Sequence, residues 1–273
     1  MAQITLEILD KEERVLAQCC REDEAVFSYR DVYHPGDQIR LSSDKEGIYM
    51  EIRLDDSVEA SSIFLKSSPF IFPIPFGEER KPYGKKAFTE ERHWGYVRVI
   101  PKEEFKNYRN LAHNAFDQKN QESVFPHAIT NVTTDNPQFF ARNAIDGICV
   151  TDNHGSWPHS SWGINGQDDA WLTIEFGKEV VAEEVIIYLR ADFPHDNWWK
   201  EAEMIFSDGW RQNVHFQKTG AAQKIKIGKR KITWIKFANL QMSDEESSYP
   251  ALSQIKVMGR WQPLFATSPC LSL

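Results

Sequence analysis

Two segments of the sequence combine tryptophan with histidine and charged side chains, and neither has strand or helix periodicity. They are residues 152–162 (DNHGSWPHSSW) and 190–199 (RADFPHDNWW), and both are predicted to be loops. A third aromatic and polar stretch, 243–249, precedes Pro250. Indole rings stack on the apolar C–H face of a sugar, and Arg, Asp, Asn and His hydrogen-bond its hydroxyls. These residue types therefore favour carbohydrate binding.

The candidate ligand-binding residues are the aromatic, histidine and polar side chains of the first two loops. Loops carry binding residues more often than the scaffold beneath them. We expect stacking on Trp157 or Trp198, with the polar side chains bonded to sugar hydroxyls. The full candidate set is His154, Trp157, His159, Trp162, Arg190, Asp192, His195, Asp196, Asn197, Trp198 and Trp199.

The same loops contain the residues of a catalytic alternative, a glycan hydrolase or lyase that uses His195 with Asp192 or Asp196. Their histidines and aspartates are also metal-ligand types, but the spacing of His154 and His159 matches no recognised ligand motif. The chain has no HExxH, GxSxG, GxGxxG or phosphate-loop motif. We therefore expect binding without catalysis. The hydrolase or lyase and a protein-interaction module remain the alternatives.

The elements that must position these loops are short strands. Ile48, Met50, Ile52 and Leu54 alternate with polar residues, and Ala170–Phe176 alternates in the same way. Turn signals separate such strands at intervals of about ten residues, which is typical of a β-sandwich. The sequence therefore predicts an all-β fold of two β-sandwich domains, joined by a short helix and a linker.

The single helix is predicted to begin at Pro101, because proline followed by acidic residues suits a first helical turn. The apolar residues that follow recur at spacings of three and four, as on one helix face. They are Phe105, Tyr108, Leu111, Ala112 and Phe116. The polar run Asp117–Glu122 is predicted to be a linker. The expected domains are 1–100 and 124–261, with helix and linker at 101–123 and a tail at 262–273.

Composition excludes some functions. The 273 residues carry 32 Lys and Arg against 40 Asp and Glu, a net charge of −8, which disfavours nucleic-acid binding. The chain contains no run of about 20 apolar residues, so no membrane span is predicted. The N-terminus does not resemble a signal peptide, so we expect a cytoplasmic protein with its four cysteines as free thiols. An acidic chain with loop tryptophans is also compatible with a homo-oligomer.

A longer pattern joins these pieces: Asn143-Ala-Ile-Asp-Gly147, Trp162, and the strands 171–178, 185–190 and 251–259. Over residues 124–261 this order resembles the discoidin or coagulation-factor-5/8 type C domain. That family overlaps the galactose-binding-like carbohydrate-binding modules. The resemblance implies a jelly-roll-like sandwich of antiparallel strands that binds ligands in loops at one end. It implies a glycan or oligosaccharide as the partner.

The resemblance also implies a structural Ca²⁺. The family's ligands lie at an Asp-Gly turn, at a Thr five residues later and at a carboxylate in the last strand. Asp146 and Thr151 match in spacing, but Gln254 stands where the family usually has Glu, so the site lacks one anionic oxygen. The implied metal residues are Asn143, Asp146, Ile148, Thr151, Ser253 and Gln254.

Overall fold

The computed structural model describes residues 1–152, 157–191 and 196–262. It confirms the all-β prediction: within these residues the only helical segments are short 3₁₀ turns, none long enough to cross a membrane. The 3₁₀ turns are Gly77–Arg80, Lys102–Lys106, Pro137–Phe139 and Ala141–Ala144. The strands are β1 (Gln3–Leu9), β2 (Val15–Glu22), β3 (Glu24–Tyr29), β4 (Gln38–Ser43), β5 (Ile48–Arg53), β6 (Ser61–Leu65), β7 (Phe70–Pro73), β8 (His93–Val99), β9 (Arg109–Asn110), β10 (Val124–Phe125), β11 (His127–Thr130), β12 (Trp162–Gly163), β13 (Leu172–Leu189), β14 (Trp199–Phe206), β15 (Arg211–His215), β16 (Gln223–Met242) and β17 (Ala251–Trp261).

The first sandwich pairs a four-stranded sheet, β2-β1-β4-β7, with a five-stranded sheet, β10-β6-β5-β8-β3. The alternation predicted for β5 is observed, because Met50 and Ile52 are fully buried in the core between the sheets. Tyr49, on the opposite face, is buried too, since its ring stacks on Trp261 of β17 with the centroids 4.1 Å apart. The outer face of β5 is therefore covered by the second sandwich.

The second sandwich is built on two long bent strands. The alternation predicted separate strands at Ala170–Phe176 and Val185–Leu189, but both belong to β13, whose register shifts between Glu175 and Val180. Gly177 lies in this bend at φ +67°, and a Cβ there would come within 2.5 Å of the Phe125 ring. A larger residue would therefore meet both backbone strain and a clash. The sheet order is β12-β17-β13-β16-β14-β15, with β11 on β13 and β9 on β17.

The predicted helix after Pro101 is wrong. The structure has a 3₁₀ turn over Lys102–Lys106, and β9 follows it on the edge of β17. The apolar spacing arises because side chains of this segment pack in two different cores. Phe105 and Leu111 pack in the core of the second sandwich, whereas Phe116 packs in the core of the first. Asp117, expected in a solvated linker, is fully buried.

A buried polar network around Asp117 joins the two sandwiches. Its Oδ1 lies 2.7 Å from Nδ1 of His127, and its Oδ2 accepts a hydrogen bond from the Ala128 amide. The Arg142 guanidinium donates to the backbone carbonyls of Asp117 and Ala115. The network therefore holds the connecting segment to β11 and to the 3₁₀ turns at 137–144.

We expect Asp117→Ala to lower the free energy of unfolding by about 3–5 kcal/mol, because it leaves His127 and the Ala128 amide buried without their acceptor. Urea denaturation of the full chain measures the loss. Asp135→Ala, at an exposed carboxylate, is the matched control. Equal stabilities of the two variants would contradict the role of this network.

The Asp117–His127 pair also predicts a pH dependence. Burial lowers the pKa of His127, but the hydrogen bond and charge of Asp117 outweigh it and raise that pKa above its ordinary value. The pair's contribution is then fully present below the unfolded pKa of about 6.5 and is lost as pH rises through the higher folded pKa. The free energies of unfolding of the unmodified protein and of His127→Gln should therefore differ most at acidic pH. A difference that stays constant or increases as pH rises would contradict this.

Candidate functional site

A cavity of about 370 Å³ opens at one end of the second sandwich. Loops after β11, β13 and β16 converge there, which agrees with a ligand site in loops above a rigid sheet. Its apolar wall consists of Phe139, Ile164, Tyr249, Pro250 and backbone near Gly163 and Ala251. Its polar lining consists of Thr134, Asn136, Asn165, Arg190, Asp196 and Ser247.

Arg190 and Asp196 supply the fixed charges of this cavity. Arg190 directly follows β13, and its backbone amide donates to the Ala251 carbonyl. Nε of Arg190 donates to Oδ2 of Asp196 at 3.0 Å, and both side chains are buried. The Arg190 guanidinium lies 5.9 Å from the Phe139 ring centroid. Two residues predicted from different ends of one loop thus form a rigid, hydrogen-bonded pair in the cavity.

Tyr249 supplies the exposed ring of the cavity. Its side chain is 63% exposed, and its Cε1 lies 3.9 Å from where a Cβ on Gly166 would stand. The third aromatic stretch of the sequence contains Tyr249, but the candidate set omitted it. Loop position alone did not separate it from the buried aromatic residues. A tyrosine directly before Pro250 in a polar loop was the available signal.

Asn197, a predicted ligand residue, instead braces the Tyr249 loop. Its Nδ2 donates to the carbonyls of Ser243, Glu245 and Ser247, the last at 2.6 Å. Its Oδ1 accepts from the Trp198 amide and the Ser243 hydroxyl. Because the side chain is 2% exposed and fully engaged, Asn197 positions the loop and does not face a ligand.

Two of the predicted ligand-binding residues, Trp162 and Trp199, belong to the core. Both are completely buried, with ring centroids 5.9 Å apart, and Trp162 Nε1 donates to the Thr130 hydroxyl. Each large apolar ring is covered by its own fold, so neither offers a free face to a sugar. Trp198 is partly buried against the same core.

The first predicted loop turns towards the other sandwich. Trp157 is 40% exposed, and a Cβ on Gly84 would lie 3.6 Å from its indole, so one ring face is covered by the N-terminal sandwich. His159 is buried, with its ring 5.9 Å from that of Phe139. His154, Asp192 and His195 lie outside the described residues, and so does the catalytic alternative that needs His195.

Two contacts link the segment implied to hold Ca²⁺ to β17. Gly147 N donates to Gln254 Oε1 at 3.2 Å, and the Thr151 and Ser253 hydroxyl oxygens lie 3.3 Å apart. Asp146 Oδ1 accepts the Ile148 amide, while its Oδ2 is buried without a hydrogen-bond partner. Burial raises the pKa of Asp146 to about 7. Nδ2 of Asn143 donates to the Pro137 carbonyl, which leaves its backbone oxygen as the donor implied there.

This donor set fits a cation in part. The orphaned Asp146 oxygen and two hydroxyls are hard donors of the kind that Ca²⁺ takes. Gln254 adds no charge, and its oxygen already accepts the Gly147 amide. Among the described residues no cluster gathers three or more His, Cys, Asp or Glu side chains around one point. A single carboxylate therefore predicts weak binding.

Comparisons with known proteins place part of the chain. Residues 124–258 match a family model described as a domain of unknown function (DUF7402). No curated protein matches the chain. Among solved structures, chitosan-binding module 1 of a Paenibacillus sp. IK-5 chitosanase/glucanase is 17% identical, at a TM-score of 0.38, over 55% of this chain and 99% of that one.

Two further solved structures are similar at the same level. A Streptococcus pneumoniae fucose binding module is 16% identical over 56% of this chain and 96% of that one, at a TM-score of 0.40. The family 32 carbohydrate-binding module of Clostridium perfringens NanJ, in complex with galactose, is 16% identical. The match covers 48% of this chain and 91% of that one, at a TM-score of 0.37. The TM-scores of these three structures are all below 0.5, so the likenesses do not establish a function for this chain.

Proposed function

We propose that the protein binds a glycan in the cavity beside Tyr249, without catalysing its cleavage. The observation that carries the proposal is an exposed aromatic ring at the mouth of a cavity lined by fixed polar groups. The Tyr249 ring stacks on the apolar face of a sugar. The Arg190–Asp196 pair and the Asn136 and Asn165 amides face its hydroxyls, because those groups match a ring of donors and acceptors.

The charges in the cavity favour binding over hydrolysis. Glycoside hydrolysis generally uses two carboxyl groups on opposite sides of the scissile bond. Asp196 is the single carboxylate among the described lining residues, and it is held by Arg190. A carboxylate fixed in a buried ion pair orients hydroxyl groups well, but it is a poor proton shuttle.

We expect Tyr249→Ala to weaken glycan binding by about 1–3 kcal/mol, because the stacking ring is lost while the scaffold remains. A broad glycan array with the full chain identifies bound glycans, and calorimetry on the strongest one measures the change. Tyr108→Ala, at a ring 46% exposed, is the matched control. A blank array, or unchanged affinity in Tyr249→Ala, would contradict the proposal.

We expect Asn197→Asp to weaken the same binding more than a surface substitution does, since it replaces a donor facing three carbonyls with an acceptor. The loop that carries Tyr249 then loses its brace. Calorimetry measures the affinity, and circular dichroism checks the fold. Asn213→Asp, at an exposed amide, is the control. Equal affinities of the two variants would show that the loop needs no brace from Asn197.

We also propose that Asp146 holds a weakly bound structural Ca²⁺ together with the hydroxyls of Thr151 and Ser253. The cation would supply the positive charge that the buried Asp146 Oδ2 lacks, and would link the 146–151 segment to β17. Backbone oxygens at Asn143 and Ile148 complete the proposed donor set. The geometry supports this through the unpartnered carboxylate oxygen alone.

Gln254→Glu tests the cation site, because it adds a second carboxylate at a fully buried position. When EDTA is replaced by about 10 mM Ca²⁺, we expect the Tm of this variant to rise by at least about 3 °C. This increase should exceed the increase in the Tm of the unmodified protein. In EDTA its Tm should fall below that protein's, since two carboxylates then lie close together. Gln217→Glu, at an exposed amide, is the control. No Ca²⁺ response in either protein would contradict the proposal.

A further inference from the structure

A second cavity of about 540 Å³ adjoins the glycan cavity and reaches the N-terminal sandwich. Thr134 and Phe139 line both cavities, so the two spaces meet at these residues. From there the second cavity runs past Phe140 to Lys66, which follows β6 of the first sandwich. The two cavities are therefore neighbours that share part of their lining, and together they extend from the loop end of the second sandwich to the boundary between the sandwiches.

The lining of the second cavity suits a chain of hydroxyl-bearing rings. Half-buried Phe140 offers aromatic surface, whereas Phe125 is buried in the core. Lysine ammonium groups lie over both rings, Lys66 at 5.5 Å from the Phe125 centroid and Lys119 at 5.4 Å from the Phe140 centroid. An apolar face flanked by hydrogen-bonding heads is the combination already found at Tyr249.

Charge in this cavity is balanced. Lys66 and Lys119 are exposed, and two carboxylates, Glu122 and Glu175, lie in the same lining. Buried Arg142 and Asp117 add one charge of each sign, with His127 counted as neutral, so three cations stand against three carboxylates. With neither sign in excess, the surface gives no net attraction to an acidic chain.

We infer that the glycan is a neutral oligosaccharide of several units, whose first unit occupies the Tyr249 cavity and whose later units cross Thr134 and Phe139 into the second cavity. This inference rests on the proposed glycan binding and adds the length and charge class of the ligand. It gives the N-terminal sandwich a direct part in recognition, through Lys66.

Chain-length dependence tests the inference. Neutral oligomers of glucose, galactose, mannose and N-acetylglucosamine, one to six units long, are arrayed beside a galacturonate series and probed with the full chain. Affinity should rise at least about tenfold from one unit to four within a bound neutral series. The double variant Lys66→Ala with Lys119→Ala should lose most of that gain and keep its affinity for the single sugar.

Two further variants test the same inference. Ile129 is half-buried on β11, and Ile129→Trp, which fills the second cavity, should also remove the gain in affinity with chain length. Lys102→Ala with Lys106→Ala, at exposed lysines outside both linings, should retain it. An affinity that does not depend on chain length, or binding confined to the galacturonate series, overturns this inference but not the proposal that the protein binds a glycan. An array blank for every series overturns both proposals.

Discussion

The buried carboxylate of Asp117 is the constraint on which the arrangement of the two sandwiches depends. Between β9 and β11 the chain passes from one core to the other, and it cannot form sheet hydrogen bonds throughout this crossing. A carboxylate without partners there would be costly, so His127, the Ala128 amide and the Arg142 guanidinium gather around it and its backbone. The result fixes the distance between the sandwiches.

The same network sets the site. The hydrogen bonds of Arg142 hold the 3₁₀ turns at 137–144 in place. Phe139 and Phe140 project from these turns and line the two cavities. On the opposite wall, Asn197 fixes the Tyr249 loop through backbone carbonyls. Two buried polar side chains therefore make irregular segments rigid enough to bind a ligand without a large loss of conformational entropy.

Sequence patterns predict strands that bury one face, and they fail at an exposed edge strand or where one segment serves two cores. The alternation of Ile48, Met50 and Ile52 predicted β5, whereas β2 was missed because an exposed edge strand has no apolar alternation. The spacing around Phe105 and Phe116 imitated a helix because the first part of this irregular segment packs in one core and its last part in the other. Periodicity assumes a single core, and this segment violates that assumption.

The candidate site shows the same limit at the level of side chains. Composition selected the loops that contain Arg190 and Asp196, but it did not predict that these two side chains pair. It did not distinguish the core ring of Trp199 from a free one, because that difference arises from packing against Phe237 and Trp162. The role of Asn197 depends on carbonyls 46 to 50 residues away in sequence, which no local pattern encodes.

Hydroxyl-radical footprinting of the full chain, with and without a pool of neutral oligosaccharides, tests the central claim most directly. Tyr249 and Tyr108 are both exposed rings, at 63% and 46%, so both should oxidise in the free protein. The account predicts that sugar protects Tyr249 and leaves Tyr108 unchanged. Equal oxidation of Tyr249 with and without sugar, at concentrations where binding is saturated, would contradict it.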